Sequence, residues 1–242
     1  MTESITQRYL LRMGIQAWKL RDVQVGPVDT RAVSATKAQT EAGLSDLPAR
    51  FHVGAIDELE LVGLETLVRG CERCALHATR TNTVFGVGNP AADWMFVGEA
   101  PGAEEDRQGI PFVGRAGQLL TAMLFALGME RDDVYIANVL KCRPPDNRDP
   151  MGEEVTQCEP YLHRQVQLVN PQIIVALGRF GAQSLLKTKR PIGKLRGQQF
   201  TYQDTGIPLV VTYHPAYLLR SPLEKRKAWD DLLFAKKIIS QV

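Results

Sequence analysis

The sequence predicts an α/β fold of three layers, α/β/α, built on a central four-stranded parallel sheet. Four short apolar runs recur along it: Trp94–Val97, Val134–Val139, Ile173–Leu177 and Leu209–Thr212, each rich in β-branched or aromatic residues. Helical-looking segments, such as Ala116–Leu127 and Glu153–Val169, separate them. Strands alternating with helices argue for a parallel sheet covered on both faces. Ligand sites in such sheets lie beyond the carboxyl ends of the strands. Three of the four runs end there in polar, unusual sequence: Gly98–Gly102, Asn138–Cys142 and His214–Arg220. That convergence sets a glutamate, Glu99, an asparagine, Asn138, and a histidine, His214, around one crevice.

The flanking elements follow from local pattern. Asp57, with Glu60 three residues on, reads as a helix start. Leu61, Leu64 and Val68 then share one helical face, and Gly70 ends the helix just before Cys71. Pro222–Ile239 also reads as helical, with Trp229, Leu232 and Leu233 as core candidates.

Residues 53–242 are expected to form this domain. Residues 22–52, rich in Thr, Ala, Ser, Gly and charge without sustained period, have linker composition. Residues 1–21 form a candidate docking peptide. Ile5, Tyr9 and Met13 fall at helical spacing, Gly14 stops the helix, and Ile15, Trp18 and Leu20 follow among basic residues. The competing reading is a helix that packs on the domain.

The formal net charge of +2 neither demands nor excludes nucleic acid, since a basic groove can sit on a balanced surface. No run approaches the roughly 18 apolar residues that span a bilayer. Arg8, Arg12, Lys19 and Arg21 interrupt any signal-peptide pattern. The expectation is a soluble, cytoplasmic protein whose domain is monomeric. In a reducing compartment its four cysteines, Cys71, Cys74, Cys142 and Cys158, read as a metal site or redox pair. Spacing alone favours zinc, although zinc sites usually have two close pairs and here only Cys71 and Cys74 are close.

The segments Gly98–Asp106, Gly109–Leu120, Asn138–Pro145 and His214–Arg220, in that order and at strand ends, resemble the uracil-DNA glycosylase superfamily, and within it the family 4 type. The resemblance covers roughly Cys71 to Ile239. It implies excision of uracil from DNA, and a [4Fe–4S] cluster on the four cysteines, with Zn as the alternative. It implies further that His214 stabilises the departing uracil, that Phe112 stacks on the flipped base, and that Glu105 crowds C5 to exclude thymine. The Gly98–Gly102 turn would hold the attacking water. Ala100 stands where family 1 enzymes carry a catalytic aspartate, which leaves Glu99 as the carboxylate to order that water. Asn138 can both donate and accept through its amide, so it suits reading a uracil edge.

Beyond His214 the segment reads as a loop, on which an apolar side chain among Tyr217, Leu218 and Leu219 would wedge into the duplex, and Arg220 would hold a phosphate. Lys141, Arg143 and Arg148 are further candidates for backbone contact. Each of these residues also has a plain structural reading as a turn, core or solvated side chain.

The segment Tyr9–Arg21 is similar to the N-terminal peptide of the psi subunit of the bacterial clamp loader. That similarity implies a replisome-bound subunit, or a glycosylase tethered to clamp-loader proteins through residues 1–21. A third reading is a zinc-stabilised nucleic-acid-binding module without catalysis.

Overall fold

The computed structural model describes residues 56–241, all within the compact unit Pro48–Val242. The candidate docking peptide, residues 1–21, and the linker, residues 22–52, lie outside the described residues. Six strands form one mixed sheet: β1 (Val87–Gly88), β2 (Trp94–Gly98), β3 (Tyr135–Asn138), β4 (Ile173–Leu177), β5 (Gln199–Thr201) and β6 (Pro208–Thr212). Their order is β1-β3-β2-β4-β6-β5. Strands β3, β2, β4 and β6 are mutually parallel, with Gly98 opposite Asn138, Val97 opposite Ala176, and Leu177 opposite Thr212. The edge strands β1 and β5 run antiparallel to β3 and β6. The sheet is therefore six-stranded and mixed, where the sequence predicts four parallel strands. The two added strands are short and only partly covered, so they carry no apolar run.

Among the described residues seven α-helices flank the sheet: α1 (Leu61–Arg69), α2 (Ala103–Gln108), α3 (Arg115–Leu127), α4 (Gly152–Val169), α5 (Gly178–Leu185), α6 (Pro215–Arg220) and α7 (Lys225–Ile239). Side chains alternate across a strand with period two, and the alternation divides the core. Met95, Val97, Ala137, Ile174, Ala176 and Val211 pack with Leu162, Val166 and Val169 of α4 and with Ala182 and Leu185 of α5. Phe96, Ile136, Val175, Leu177 and Val210 pack on the other face with Leu120, Leu124 and Leu127 of α3 and with Leu232 and Ala235 of α7. The crossover β2–α3–β3 thus covers one face and β3–α4–β4 the other. The chain reverses its direction of winding beside β2, and the cleft opens at that point.

Three local expectations need correction. Helix α1 begins at Leu61 with Glu60 as its N-cap, and Asp57 lies in a preceding turn. Leu233 is 45 % exposed, because in α7 the core-facing positions are Ala228, Leu232, Ala235 and Ile238. The segment after His214 is a short helix, α6, rather than a loop.

Candidate active site and four-cysteine centre

Close packing at the end of β2 builds the cleft. A Cβ on Gly98 would stand 2.3 Å from Asn138 Oδ1 and 2.6 Å from Phe112 Cζ, so only glycine lets those two side chains share the strand end. Asn138 closes β3 and is 1 % exposed, yet its Oδ1 has no hydrogen-bond partner among the described residues. A buried acceptor left unpaired costs about 1–3 kcal/mol, which marks it as waiting for a donor. Phe112 holds a positive φ of 54°, unusual for an aromatic residue. The Phe112 turn is fixed by Glu105 of α2, whose Oε1 accepts from the N–H groups of Val113 (3.0 Å) and Gly114 (2.9 Å). The Phe112 ring sits 5.6 Å from the His214 ring.

His214 is the N-cap of α6. Its Nδ1 accepts the backbone N–H of Ala216 at 3.1 Å, which leaves Nε2 to carry the proton of the neutral ring. Burial, helped by the charge of Arg220 and opposed by Glu105, pushes its pKa down to about 4. The ring is neutral at physiological pH. Gly178, with φ of +88°, gives His214 room, since a Cβ there would lie 2.8 Å from His214 Cβ.

Glu99 begins the turn after β2. Burial raises its carboxyl to about 7, Asp149 adds to the rise, and Arg179 opposes it. Arg179 and Asp149 pair at 3.3 Å across the cleft rim. Arg179 and Asp149, unlike Glu99, were not legible in sequence, although a glycine directly after the buried strand β4, at Gly178, was an available signal for a fourth functional strand end.

The cleft has a volume of about 770 Å³ and is lined by Glu99, Ala100, Glu105, Phe112, Asn138, His214 and Arg220 among others. Gly98 lies beneath it. Leu218 is only 1 % exposed and faces the core, so it is not available as a duplex wedge. Leu219 is half-buried and absent from the cleft lining, whereas Tyr217 lines it and is 37 % exposed. The Tyr217 ring packs against that of Tyr213 at 4.9 Å and a tilt of 41°, and the Arg196 guanidinium covers Tyr213 at 4.2 Å. Arg148 lines the cleft but is held by Glu154 through a bidentate pair of 3.0 and 2.5 Å. Lys141 is 1 % exposed and cannot reach a DNA backbone.

The four cysteines meet at a second, small cavity that Arg80, Lys141 and Tyr161 also line. Cys71 follows α1, Cys74 precedes a single helical turn, Cys142 follows β3, and Cys158 lies in α4. Three donors address the sulfurs at 3.2 Å each: Arg80 Nη1 to Cys142, the Lys141 N–H to Cys158, and the Tyr161 O–H to Cys71. Among the described residues, no three Cys, His, Asp or Glu side chains stand close enough to hold a single metal ion. No helix among them is long and apolar enough to cross a membrane.

Residues 85–233 match the uracil DNA glycosylase superfamily. The type-4 uracil-DNA glycosylase of Archaeoglobus fulgidus is 48 % identical over 168 residues, covering 66 % of this chain and 84 % of that protein. The chain belongs to the type-4 uracil-DNA glycosylase family. The enzyme of the same type from Saccharolobus solfataricus is 44 % identical over 192 residues, 76 % of this chain and 88 % of its own. That of Thermotoga maritima is 45 % identical over 177 residues, 72 % and 92 %. A type-5 uracil-DNA glycosylase from Pyrobaculum aerophilum is also similar, at 33 % over 179 residues. In type-4 family terms, the cleft between β2, β3 and α6 is the candidate active site, and the cysteine cavity is the candidate metal centre.

Proposed function

We propose that this protein excises uracil from DNA by hydrolysing the N-glycosidic bond of a flipped-out deoxyuridine, leaving an abasic site. The observation that carries the reading is the unpartnered, buried Oδ1 of Asn138 on the same cleft as a neutral His214. Uracil offers an N3–H to such an acceptor. Cytosine offers a lone pair at that position and would leave the oxygen unpaired, a strong basis for rejection. Phe112 provides an aromatic face for the extruded base. Glu105, anchored by the Val113 and Gly114 amides, suits a fixed wall against the thymine methyl group.

The bond from C1′ to N1 breaks with its electron pair leaving on the uracil. His214 Nε2–H donates to the oxygen where that charge gathers, which is electrostatic stabilisation by a preset donor. A water oxygen bonds to C1′, and its proton passes to Glu99. With a pKa of about 7, Glu99 is well matched to that role near neutrality. Since Leu218 is buried, Tyr217 is the side chain suited to fill the gap in the duplex, with Arg220 beside it for a phosphate.

The four thiols suit a [4Fe–4S] cluster. All donors are sulfur, the four line one cavity, and N–H and O–H groups address them. Cys71, Cys74, Cys142 and Cys158 would hold it, and its role would be to tie α1, the loop after β3 and α4 together. The similarity of Tyr9–Arg21 to the clamp-loader psi peptide supports a separate proposal of tethering. Capture of clamp-loader proteins by residues 1–25, lost on Trp18→Ala, is its test.

Activity is tested by incubating the protein with a uracil-containing oligonucleotide and cleaving abasic sites with alkali. Wild type is expected to cut and His214→Ala to be greatly slowed. No cleavage by metal-replete protein would overturn the reading. Brown protein with stoichiometric iron is expected, and colourless protein with stoichiometric zinc would overturn the cluster.

A further inference from the structure

Lys141 is one of the largest fully buried side chains of the protein, and the glycosylase chemistry leaves it without a role. Its Nζ donates to the main-chain carbonyl of Asn138 at 2.7 Å and to Gln165 Oε1 at 2.6 Å. Gln165 is locked in turn, because its Nε2 donates to the Phe85 carbonyl and the Tyr135 hydroxyl. Both acceptors of Lys141 are neutral, and it forms no ion pair among the described residues. A buried cation without an anion is costly, by several kcal/mol for a group of this size. The groups nearby that would carry negative charge are the sulfurs, which bind a metal as thiolates. Cys142 is the next residue, and the backbone N–H of Lys141 itself donates to Cys158 Sγ. Lys141 also lines the four-cysteine cavity.

One residue therefore touches both centres. Its backbone N–H donates to a cysteine sulfur, and its ammonium grips the carbonyl of the base-reading asparagine. We infer that Lys141 is a positioning residue that couples the four-cysteine centre to Asn138: the centre's negative charge holds the ammonium in place, and the ammonium sets the end of β3 from which Asn138 meets the base. The inference rests on the reading above, in which Asn138 recognises uracil and the cysteines hold a cluster.

The test compares wild type with Lys141→Met, a change of similar volume that removes the charge and the donor. The change leaves the Asn138 carbonyl and Gln165 Oε1 without this donor, so thermal unfolding of the variant is measured alongside. Four quantities are measured on the intact, metal-loaded protein: iron content, the reduction potential of the cluster, affinity for DNA with an abasic-site analogue, and the single-turnover rate of uracil excision. The expected result is full iron content, a potential shifted to more negative values because a neighbouring cation no longer favours the reduced cluster, unchanged affinity for abasic DNA, and an excision rate lowered roughly 10-fold or more. A shifted potential with a wild-type rate overturns the coupling. So does a reduced rate with an unshifted potential, and so does no change in either. If Lys141→Met fails to fold, Lys141→Gln decides by the same rule: a lower excision rate together with a more negative potential supports the coupling, and either change without the other overturns it. Wild type that lacks iron or does not excise uracil overturns the underlying reading itself.

Discussion

The backbone N–H of Ala216 donates to Nδ1 of His214 at 3.1 Å. That bond assigns the tautomer, while burial, helped by the charge of Arg220, keeps the ring neutral to about pH 4. Two outcomes are expected. His214→Ala slows single-turnover excision on the order of 10²–10³-fold, the loss typical of a missing oxyanion donor. The stability consequence has a definite sign. The native pKa of about 4 lies below the usual histidine value of 6.5, so the unfolded chain binds the extra proton first. Native stability is full above about pH 6.5 and falls as pH drops toward 4, by up to about 3 kcal/mol from this residue. Urea unfolding of wild type and His214→Gln at pH 7.5 and pH 4.5 measures it. An equal pH slope in both proteins would remove this group as the cause.

Gly98 faces Asn138 and Phe112 at distances that no Cβ can share. Gly98→Ala is therefore expected to displace the Asn138 amide or the Phe112 ring and to lower excision by at least about 10²-fold, as small misplacements of positioning groups do. The fold should survive with a cost of roughly 1–3 kcal/mol from overpacking. Steady-state kinetics beside thermal unfolding separates the two effects. Wild-type kinetics in a folded Gly98→Ala protein would contradict the packing at this strand end.

Tyr217 stands at the cleft mouth, backed by Tyr213 and Arg196. Filling a vacated stack matters only where a stack exists. Tyr217→Ala is expected to slow excision about 10-fold or more from double-stranded DNA and to leave single-stranded uracil nearly unaffected, with Tyr217→Phe close to wild type. Equal losses on both substrates would assign Tyr217 to the cleft's structure instead.

The central strands were legible because each is a short run of β-branched, aromatic or other apolar residues that is almost wholly buried, a pattern that survives without knowledge of its neighbours. β5, Gln199–Thr201, was not, since three mostly exposed residues that merely pair with β6 carry no apolar signal. Asn138 and His214 were legible as polar residues closing apolar strands. Leu218 was misread because a six-residue helix has too little sequence to show which side meets the core. Lys141 was misread for a deeper reason: a lysine in a loop defaults to solvent, and its burial depends on Gln165, which approaches from α4. The Arg179–Asp149 pair likewise joins residues 30 apart in sequence, a distance that no local pattern spans.

That pair supplies the last prediction. Glu99 has its carboxyl raised to about 7 by burial first, with Asp149 raising it further and Arg179 lowering it. If the carboxylate takes the proton of the attacking water, excision must rise with pH through about 7 and level off above it, since only the ionised form can accept. Glu99→Gln should flatten the profile and lower the plateau on the order of 10²-fold. The flanking charges then move the midpoint in opposite directions. Asp149→Asn removes a repelling negative charge, so it should shift the midpoint to lower pH. Arg179→Met removes an attracting positive charge, so it should shift the midpoint higher. Because Arg179 and Asp149 are both largely exposed, with side chains 52 % and 66 % accessible, added salt should screen and shrink both shifts. Single-turnover rates between pH 5 and 9, at low and at high salt, measure all of this. A wild-type profile that is level across pH 7 would exclude Glu99 as the base, and midpoints that shift in the same direction in both variants would exclude the charge pair as its control.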